Sequence, residues 1–299
     1  MSQSSFNEHR LAQAKKIVGK ITLPAQPGIV VEINKELNQE HPDFQNIAKL
    51  VAQDAGMAAR VINVINSPFF GLARKVNSIA QALTLMGLEN FKKVILTACL
   101  QEKFEGSSDT DKVFWSHSVH TAVVAESLAK ANRAMLVAEA ITPDQAYMAG
   151  LFHDISIPIL LKKSADYAPF TGVAMSHKRD IIEEEDRLVG SDHCVVGGLL
   201  ARSWSVPDPV CKAIIHHHAS PAQLHEGAPV KLISLVQVAD YIAYVYGYSI
   251  GKMDRIIEGE WDVDEWAENH DQTLDALHLG AEDLRDFKEE IFEQLHAEP

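Results

Sequence analysis

The sequence between residues 117 and 240 contains histidines and aspartates of the kind that bind metal ions. They are His117, His153, Asp154, His193, His217, His218 and Asp240. Imidazole and carboxylate ligands together suit borderline divalent ions such as iron, manganese, zinc or nickel, and magnesium is also possible. Such an ion with an open coordination position could lower the pKa of a water molecule and so support hydrolysis. The first hypothesis is therefore a site for one or more divalent ions.

The spacing of these residues requires several helices to meet. His153 and Asp154 are adjacent, and neighbouring side chains on a helix point about 100° apart, so both can still reach an ion above one helix edge. The other ligands must then come from other helices, as in metal-centred bundles. Asp240 lies within the apolar stretch 235–242. A buried carboxylate there needs a cation, a hydrogen-bond donor or an unusual protonation state.

Each histidine also has a simpler structural interpretation, because an isolated histidine in an apolar helix is more often hydrogen-bonded than metal-bound. His216, His217 and His218 cannot all point the same way, so at least one of the three has a structural role. Four other residues near the predicted ligands are assigned to structural roles. They are His120, Asp192, Cys194 and His225.

Helical periodicity dominates the elements that must position these residues, and alternating strand patterns are absent, so the sequence predicts an all-α fold. Gly56 and Gly87 are expected to separate shorter helices. Thr142 with Pro143 predicts a helix start, and the helix is expected to include His153 and Asp154 before Pro158 kinks or ends it. Ser191 is expected to cap the helix that carries His193.

A polar stretch at 102–111 is the best candidate for a linker between two packed helical lobes. The predicted division is an N-terminal helical extension (1–18), a helical lobe (19–105), a metal-site lobe (106–250) and an acidic helical segment (251–299). Residues 254–299 hold 16 acidic and 3 basic residues, and they account for almost all of the net charge of −14. Without a basic stripe, the chain is not expected to bind nucleic acid.

The chain is predicted to be cytoplasmic. Its three cysteines show no CxxC spacing, which is typical of a reducing compartment. The first residues lack the apolar core of a signal peptide. The most apolar stretch, 232–250, is interrupted by Gln237 and Asp240, so no membrane span is predicted.

The order H…HD…H…HH…D resembles the HD superfamily of metal-dependent phosphohydrolases and its HD-GYP phosphodiesterases, most specifically in WSHS at 115–118 and AGLFHD at 149–154. The N-terminal half is identified as a member of the HDOD family by LPAQP at 23–27 and by the segments 50–71 and 76–95. The resemblance implies a helical lobe packed against an HD-like bundle. It further implies that one ion is held by His117, His153, Asp154 and Asp240, and that a second can be held by His193, His217 and His218.

The sequence departs from HD-GYP enzymes at the lysine of HDIGK, where this chain has Ile157, and the GYP element is absent. A phosphate-neutralising group is thereby lost. The favoured interpretation is a signalling or regulatory protein with a metal-binding site and little or no catalysis, acting with a signalling protein partner or a phosphate-bearing small ligand. The alternatives are a metal-dependent phosphohydrolase or phosphodiesterase acting on a (cyclic) nucleotide, and a scaffold whose histidines only form hydrogen bonds. Catalytic residues and oligomeric state are not assigned.

A further expectation concerns the segment SerProPhePheGly at 67–71, which places two aromatic rings beside turn-forming residues. One ring, from Phe69 or Phe70, could remain accessible to a partner. The alternative is that both rings belong to the core.

Overall fold

The computed structural model describes residues 12–16, 28–37, 39, 42–66, 75–104, 109–163, 167, 181–204, 206–250 and 262–296. Every regular element within these ranges is a helix, and none is a strand. The prediction of an all-α fold is confirmed. No described helix is both long enough and apolar enough to span a membrane.

The chain forms two compact units. The smaller unit comprises Pro24–Gly106 with Glu293–Pro299, and the larger comprises Met1–Leu23 with Ser107–Phe292. The four-part division predicted from the sequence, and the packing of two lobes on each other, stay predictions. Within the predicted linker, residues 102–104 and 109–111 are helical.

The described residues between 28 and 104 in the smaller unit contain four helices, of which the first three are short and the fourth is bent. They are α1 (Gly28–Leu37), α2 (Phe44–Ala52), α3 (Ala55–Ile65) and α4 (Ile79–Phe104). The α4 bend lies at Gly87, whose φ of 72° is readily adopted only by glycine, as predicted. The break before α3 lies at Asp54 and not at Gly56, because the Asp54 side chain caps the helix by accepting from the Met57 backbone N–H at 3.0 Å.

Aliphatic side chains from all four helices form the core of the smaller unit, with Ile47, Val51 and Val61 completely buried. The Asn66 side chain holds the start of the following segment by two hydrogen bonds. Its Nδ2 donates to the Val76 carbonyl oxygen at 2.8 Å, and its Oδ1 accepts from the Val76 N–H at 2.7 Å. The 67–71 segment, with its expected accessible aromatic ring, lies outside the described residues.

Apart from residues 293–296 at the end of the last helix, which are grouped with the smaller unit, the eleven helices that the described chain contains between residues 109 and 296 belong to the larger unit. They are α5 (Asp109–Ala131), α6 (Arg133–Leu136), α7 (Pro143–Phe152), α8 (Ile157–Lys163), α9 (Ile181–Val189), α10 (His193–Ser203), α11 (Asp208–His216), α12 (Val230–Ser249), α13 (Val263–Asn269), α14 (Asp271–Ala276) and α15 (Ala281–His296). Short 3₁₀ turns, Val137–Glu139 and Pro221–Gln223, follow α6 and precede α12.

Helix α12 occupies the centre of this bundle, because it is buried all round from Leu232 to Gly247. It packs against α5, α7, α11 and α14. Helices α5 and α7 approach closely at Gly150, where an added Cβ would lie 2.8 Å from the Ala122 Cα and from the Thr121 carbonyl oxygen. Only glycine allows this crossing, which brings the end of α7 beside the middle of α5.

Two expectations about helix ends are wrong. The helix opened by Thr142, which has the predicted capping box, ends at Phe152, so His153 and Asp154 lie in the turn that follows it. Pro158 therefore neither kinks nor ends that helix and lies near the start of α8. Helix α10 is capped by Asp192 and not by Ser191, because the Asp192 carboxylate accepts from the Val195 N–H at 3.0 Å.

Candidate metal centre

The structure brings the seven predicted ligands into one contiguous cluster in the larger unit. His117 comes from the middle of α5 and Asp240 from the middle of α12. The His153–Asp154 pair comes from the turn after α7, His193 opens α10, and the 217–218 pair follows α11. All seven are buried except His218, which is partly exposed. Metal ligation itself stays a prediction.

One end of the cluster is formed by His117, His153, Asp154 and Asp240. The Asp240 Oδ1 lies 2.8 Å from the His117 Nε2 and 3.5 Å from the His153 Nε2. The His153 Nε2 also lies 3.2 Å from the Asp154 Oδ2. One donor atom each from His117, His153 and Asp154 all fall within 4.8 Å of one another, which is the spacing of ligands around a common ion.

The other end is formed by His193, His217 and His218, together with Cys194. The His193 Nε2 lies 3.2 Å from the His217 Nε2 and 3.1 Å from the His218 Nε2. Asp154 connects the two ends, because its Oδ1 lies 3.3 Å from the His193 Nε2 and 3.5 Å from the His217 Nε2. The carboxylate of Asp154 can therefore serve two neighbouring ions at once.

Several of these atoms are buried without a hydrogen-bond partner among the described residues. They are both ring nitrogens of His117, the Nε2 of His153 and the Oδ1 of Asp154. The His117 Nε2 is only 2.8 Å from the Asp240 Oδ1, yet the contact lacks hydrogen-bond geometry. Buried polar atoms that are close but not aimed at each other are expensive unless a cation satisfies them. The donor set therefore fits a divalent metal ion.

Outer hydrogen bonds turn the ε nitrogens toward the centre of the cluster. The His153 Nδ1 lies 2.7 Å from the Gly150 carbonyl oxygen, and the His217 Nδ1 lies 2.8 Å from that of Ile214. Each Nδ1–H can donate to its carbonyl, which fixes the tautomer that leaves the Nε2 lone pair free. Metal-binding histidines are oriented in this way by their surroundings.

Glu185 performs the same role for His193, and sequence reasoning missed it. Its Oε2 accepts from the His193 N–H at 2.8 Å and lies 2.7 Å from the His193 Nδ1. Its Oε1 accepts a short hydrogen bond from the Tyr167 hydroxyl. Glu185 is completely buried, whereas the two preceding residues, Glu183 and Glu184, are exposed. Its position four residues after buried Ile181, on the inner face of α9, is the sequence signal that could have revealed it.

The acidic C-terminal part of the larger unit supports the second end of the cluster. The Gln237 Nε2 donates to the carbonyl oxygens of His217 and Ala219, each at 2.8 Å. Thr273, in α14, donates its hydroxyl to the Gln237 Oε1 at 2.8 Å. A residue outside the predicted metal-site lobe thus helps to fix the turn that carries His217.

Neighbouring charged groups shift the pKa values of histidines in the cluster. Burial lowers the pKa of His153, but the Asp154 and Asp240 carboxylates reverse this and hold it well above 6.5. Burial likewise disfavours charge on His217, and contacts with Cys194 and Asp154 raise its pKa to about 9. Burial and the neighbouring His217 and His193 lower the pKa of His218 well below 6.5. Because metal ligation requires neutral imidazoles, a bound cation would displace these protons.

The four residues assigned to structural roles divide into two groups. Asp192 is the cap of α10, His225 is exposed, and His120 packs its ring edge-on against Tyr246 with centroids 5.0 Å apart. Cys194, in contrast, is buried with its Sγ 3.4 Å from the His193 Nε2. It therefore belongs to the cluster by position. Ile157, at the HD-GYP lysine position, is completely buried and offers no charge.

Residues 23–220 match the HDOD domain family, which covers most of the chain, and the chain belongs to that family. A protein of Treponema pallidum is 28% identical over 232 residues, which are 73% of this chain and 41% of that relative. The chain thus spans less than half the length of this relative.

Solved structures share the fold over nearly the whole chain. An HDOD domain protein of unknown function from Geobacter sulfurreducens is 25% identical with a TM-score of 0.65, covering 96% of this chain and 98% of its own. A candidate signal transduction protein from Marinobacter aquaeolei is 18% identical with a TM-score of 0.65. The match covers 99% of this chain and 65% of the Marinobacter chain. A candidate metal-dependent phosphohydrolase from Shewanella amazonensis is 17% identical with a TM-score of 0.58. The match covers 96% of this chain and 100% of the Shewanella chain. Because the last two structures are less than 20% identical to this chain, their similarity shows the fold alone.

Proposed function

We propose that this HDOD protein is a metal-binding regulatory protein whose HD-like centre holds one or two divalent ions and has little or no hydrolytic activity. The observation that carries the proposal is the convergence of buried, unsatisfied ligand atoms of His117, His153 and Asp154, with His193 and His217 close to the far side of Asp154. A protein without an ion would leave those atoms desolvated at a cost of about 1–3 kcal/mol each.

The first ion would be held by His117, His153, Asp154 and Asp240, and the second by His193, His217 and His218. When bound, such an ion could polarise a phosphate oxygen or activate a water molecule. The residues of the chain orient the ligands, exclude bulk water from one end of the centre, and leave His218 at the partly exposed side.

The electrostatics of the centre disfavour efficient turnover. Phosphoryl chemistry needs the developing charge on the substrate oxygens to be offset by cations other than the activating metal. The position that carries a lysine in HD-GYP enzymes is the buried alkyl chain of Ile157, and its burial also leaves little room for a cation. The same centre could bind a phosphate-bearing ligand without cleaving it, which suits a sensor that acts with a signalling partner.

The alternative is a metal-dependent phosphohydrolase acting on a nucleotide or cyclic nucleotide. It is supported by the complete ligand set and by the resemblance in fold to the Shewanella candidate phosphohydrolase. The two proposals differ in turnover and not in metal content, so a rate measurement separates them.

The deciding experiment incubates metal-replete protein with cyclic dinucleotides and with a generic aryl phosphodiester. We expect binding with negligible turnover. Turnover of roughly 1 per second or faster that is lost in Asp154→Ala and kept in His225→Ala would replace the regulatory proposal with the enzymatic one. His225 is the matched control because it is an exposed histidine of the same unit.

A further inference from the structure

Cys194 is the one thiol in the described residues that lies among the ligand atoms of the centre. It is 2% exposed, and its Sγ is 3.4 Å from the His193 Nε2 and 4.0 Å from the His217 Nε2. Cys194, His193, His217 and His218 each offer an atom within 4.8 Å of the others. The thiol is thus placed where a fourth ligand of the second ion would be.

These distances match the geometry of a tetrahedral site. With metal–sulfur bonds of about 2.3 Å and metal–nitrogen bonds of about 2.0–2.1 Å, tetrahedral ligands lie about 3.5 Å (S to N) and about 3.3 Å (N to N) apart. The Sγ to His193 Nε2 distance is 3.4 Å. The His193 Nε2 lies 3.2 Å from the His217 Nε2 and 3.1 Å from the His218 Nε2. The Sγ to His217 Nε2 contact, at 4.0 Å, is longer.

The ring orientations agree with this arrangement. The Nδ1 atoms of His193 and His217 are engaged by Glu185 and by the Ile214 carbonyl oxygen, so the Nε2 atoms are the ones left to bind an ion. The Sγ also lies 3.7 Å from the His217 Nδ1, which places the thiol beside that ring. Cys211, by comparison, already donates to the Val206 carbonyl oxygen at 3.3 Å and is not part of the group.

We propose that the second ion site of this chain is a Cys/His site, in which Cys194 ligates as a thiolate beside His193, His217 and His218. The inference rests on the proposed metal centre and specifies its ligand chemistry. On binding, the thiol gives its proton to solvent and forms the metal–sulfur bond, with no change of oxidation state. Thiolate ligands favour zinc and other soft or borderline ions over magnesium and manganese. The second site should therefore select zinc, while the all-nitrogen-and-oxygen first site should not require it.

Cobalt(II) titration of the full-length, metal-stripped protein tests the proposal directly. Cobalt replaces zinc in such sites and reports a thiolate ligand as a charge-transfer band in the near ultraviolet, separate from its visible d–d bands. We expect both sets of bands in the wild type. Cys194→Ala should lose the charge-transfer band and keep d–d bands, whereas the matched control Cys211→Ala should keep both.

Zinc affinity supplies a second readout that does not depend on activity. Loss of an outer-shell partner alone costs about 10–100-fold in metal affinity, so Cys194→Ala should weaken binding of the second zinc equivalent by about tenfold or more. Manganese binding at the first site should be unaffected. Cobalt d–d bands without a charge-transfer band in the wild type would overturn the thiolate site and leave the metal centre intact. Absence of any cobalt binding would overturn both.

Discussion

The two units of this molecule bury different kinds of side chain. In the smaller unit the described core is aliphatic, with residues such as Ile47 and Val61 completely buried. In the larger unit the centre of the bundle buries imidazoles and carboxylates, including His153, Asp154 and Glu185. Burial of an apolar group stabilises a fold by itself, but burial of ionisable groups is unfavourable unless they are paired. The smaller unit therefore needs no partner for its described core, whereas under the proposed function a cation would pair with the buried ionisable groups of the larger unit.

The largest effect is expected from Asp154→Ala, which removes the carboxylate that faces both ends of the cluster. Bound metal should fall at least about tenfold, since even outer-shell losses cost about 10–100-fold in affinity. Elemental analysis after desalting measures this. His225→Ala should keep the wild-type metal content, and an Asp154→Ala protein that does so too would show that the ion is not held there.

A cavity in the smaller unit should lower the stability of the protein without lowering its metal content. Ile47→Ala removes a completely buried side chain and should lower the free energy of unfolding by about 2–5 kcal/mol. Metal content per folded molecule should not change, because Ile47 contributes no ligand. Denaturant unfolding and elemental analysis of the same sample check both parts. Loss of metal in proportion to the loss of stability would contradict the separation between the units.

Two glycine substitutions, one in each unit, also compare the units. Gly150→Ala forces a Cβ against the backbone of Ala122 at 2.8 Å and should destabilise the protein by about 1–3 kcal/mol. It should also weaken metal binding, because the Gly150 carbonyl oxygen orients His153. Gly28→Ala, in α1 with open space around the new methyl group, should be neutral or stabilising by up to about 1 kcal/mol. Equal melting temperatures for the two variants would be inconsistent with the close crossing of α5 and α7.

The smallest effect is expected from Glu185→Gln, which keeps the shape of the side chain but weakens its hold on the His193 ring. Metal affinity should fall by about tenfold, the lower end of the range for losing an outer-shell partner, while the fold is retained. Isothermal titration with zinc measures the change. If Glu185 positions His193, Glu185→Asp should retain more metal affinity than Glu185→Ala. Equal metal affinities for the Gln, Asp and Ala variants would indicate that the carboxylate has a purely structural role.

The sequence predicted the all-α fold because amphipathic periodicity and caps such as Thr142 are local signals. It also suggested the seven candidate ligands from their types and order, although ligation is still a prediction. It did not locate the exact helix ends, since the turn that carries His153 and Asp154 depends on tertiary packing. Glu185 and Cys194 were missed as parts of the centre because their role arises from contacts with His193, which spacing along the chain cannot reveal.

The most direct test of the account is the metal content of full-length protein purified without added metal, combined with melting in the presence and absence of a chelator. A ligand that binds only the folded state stabilises it by mass action. We therefore expect stoichiometric divalent metal and a lower melting temperature after chelation, with Asp154→Ala lacking both properties. Metal-free wild-type protein that melts identically with and without chelator would contradict the metal centre and leave the buried histidines with a structural role only.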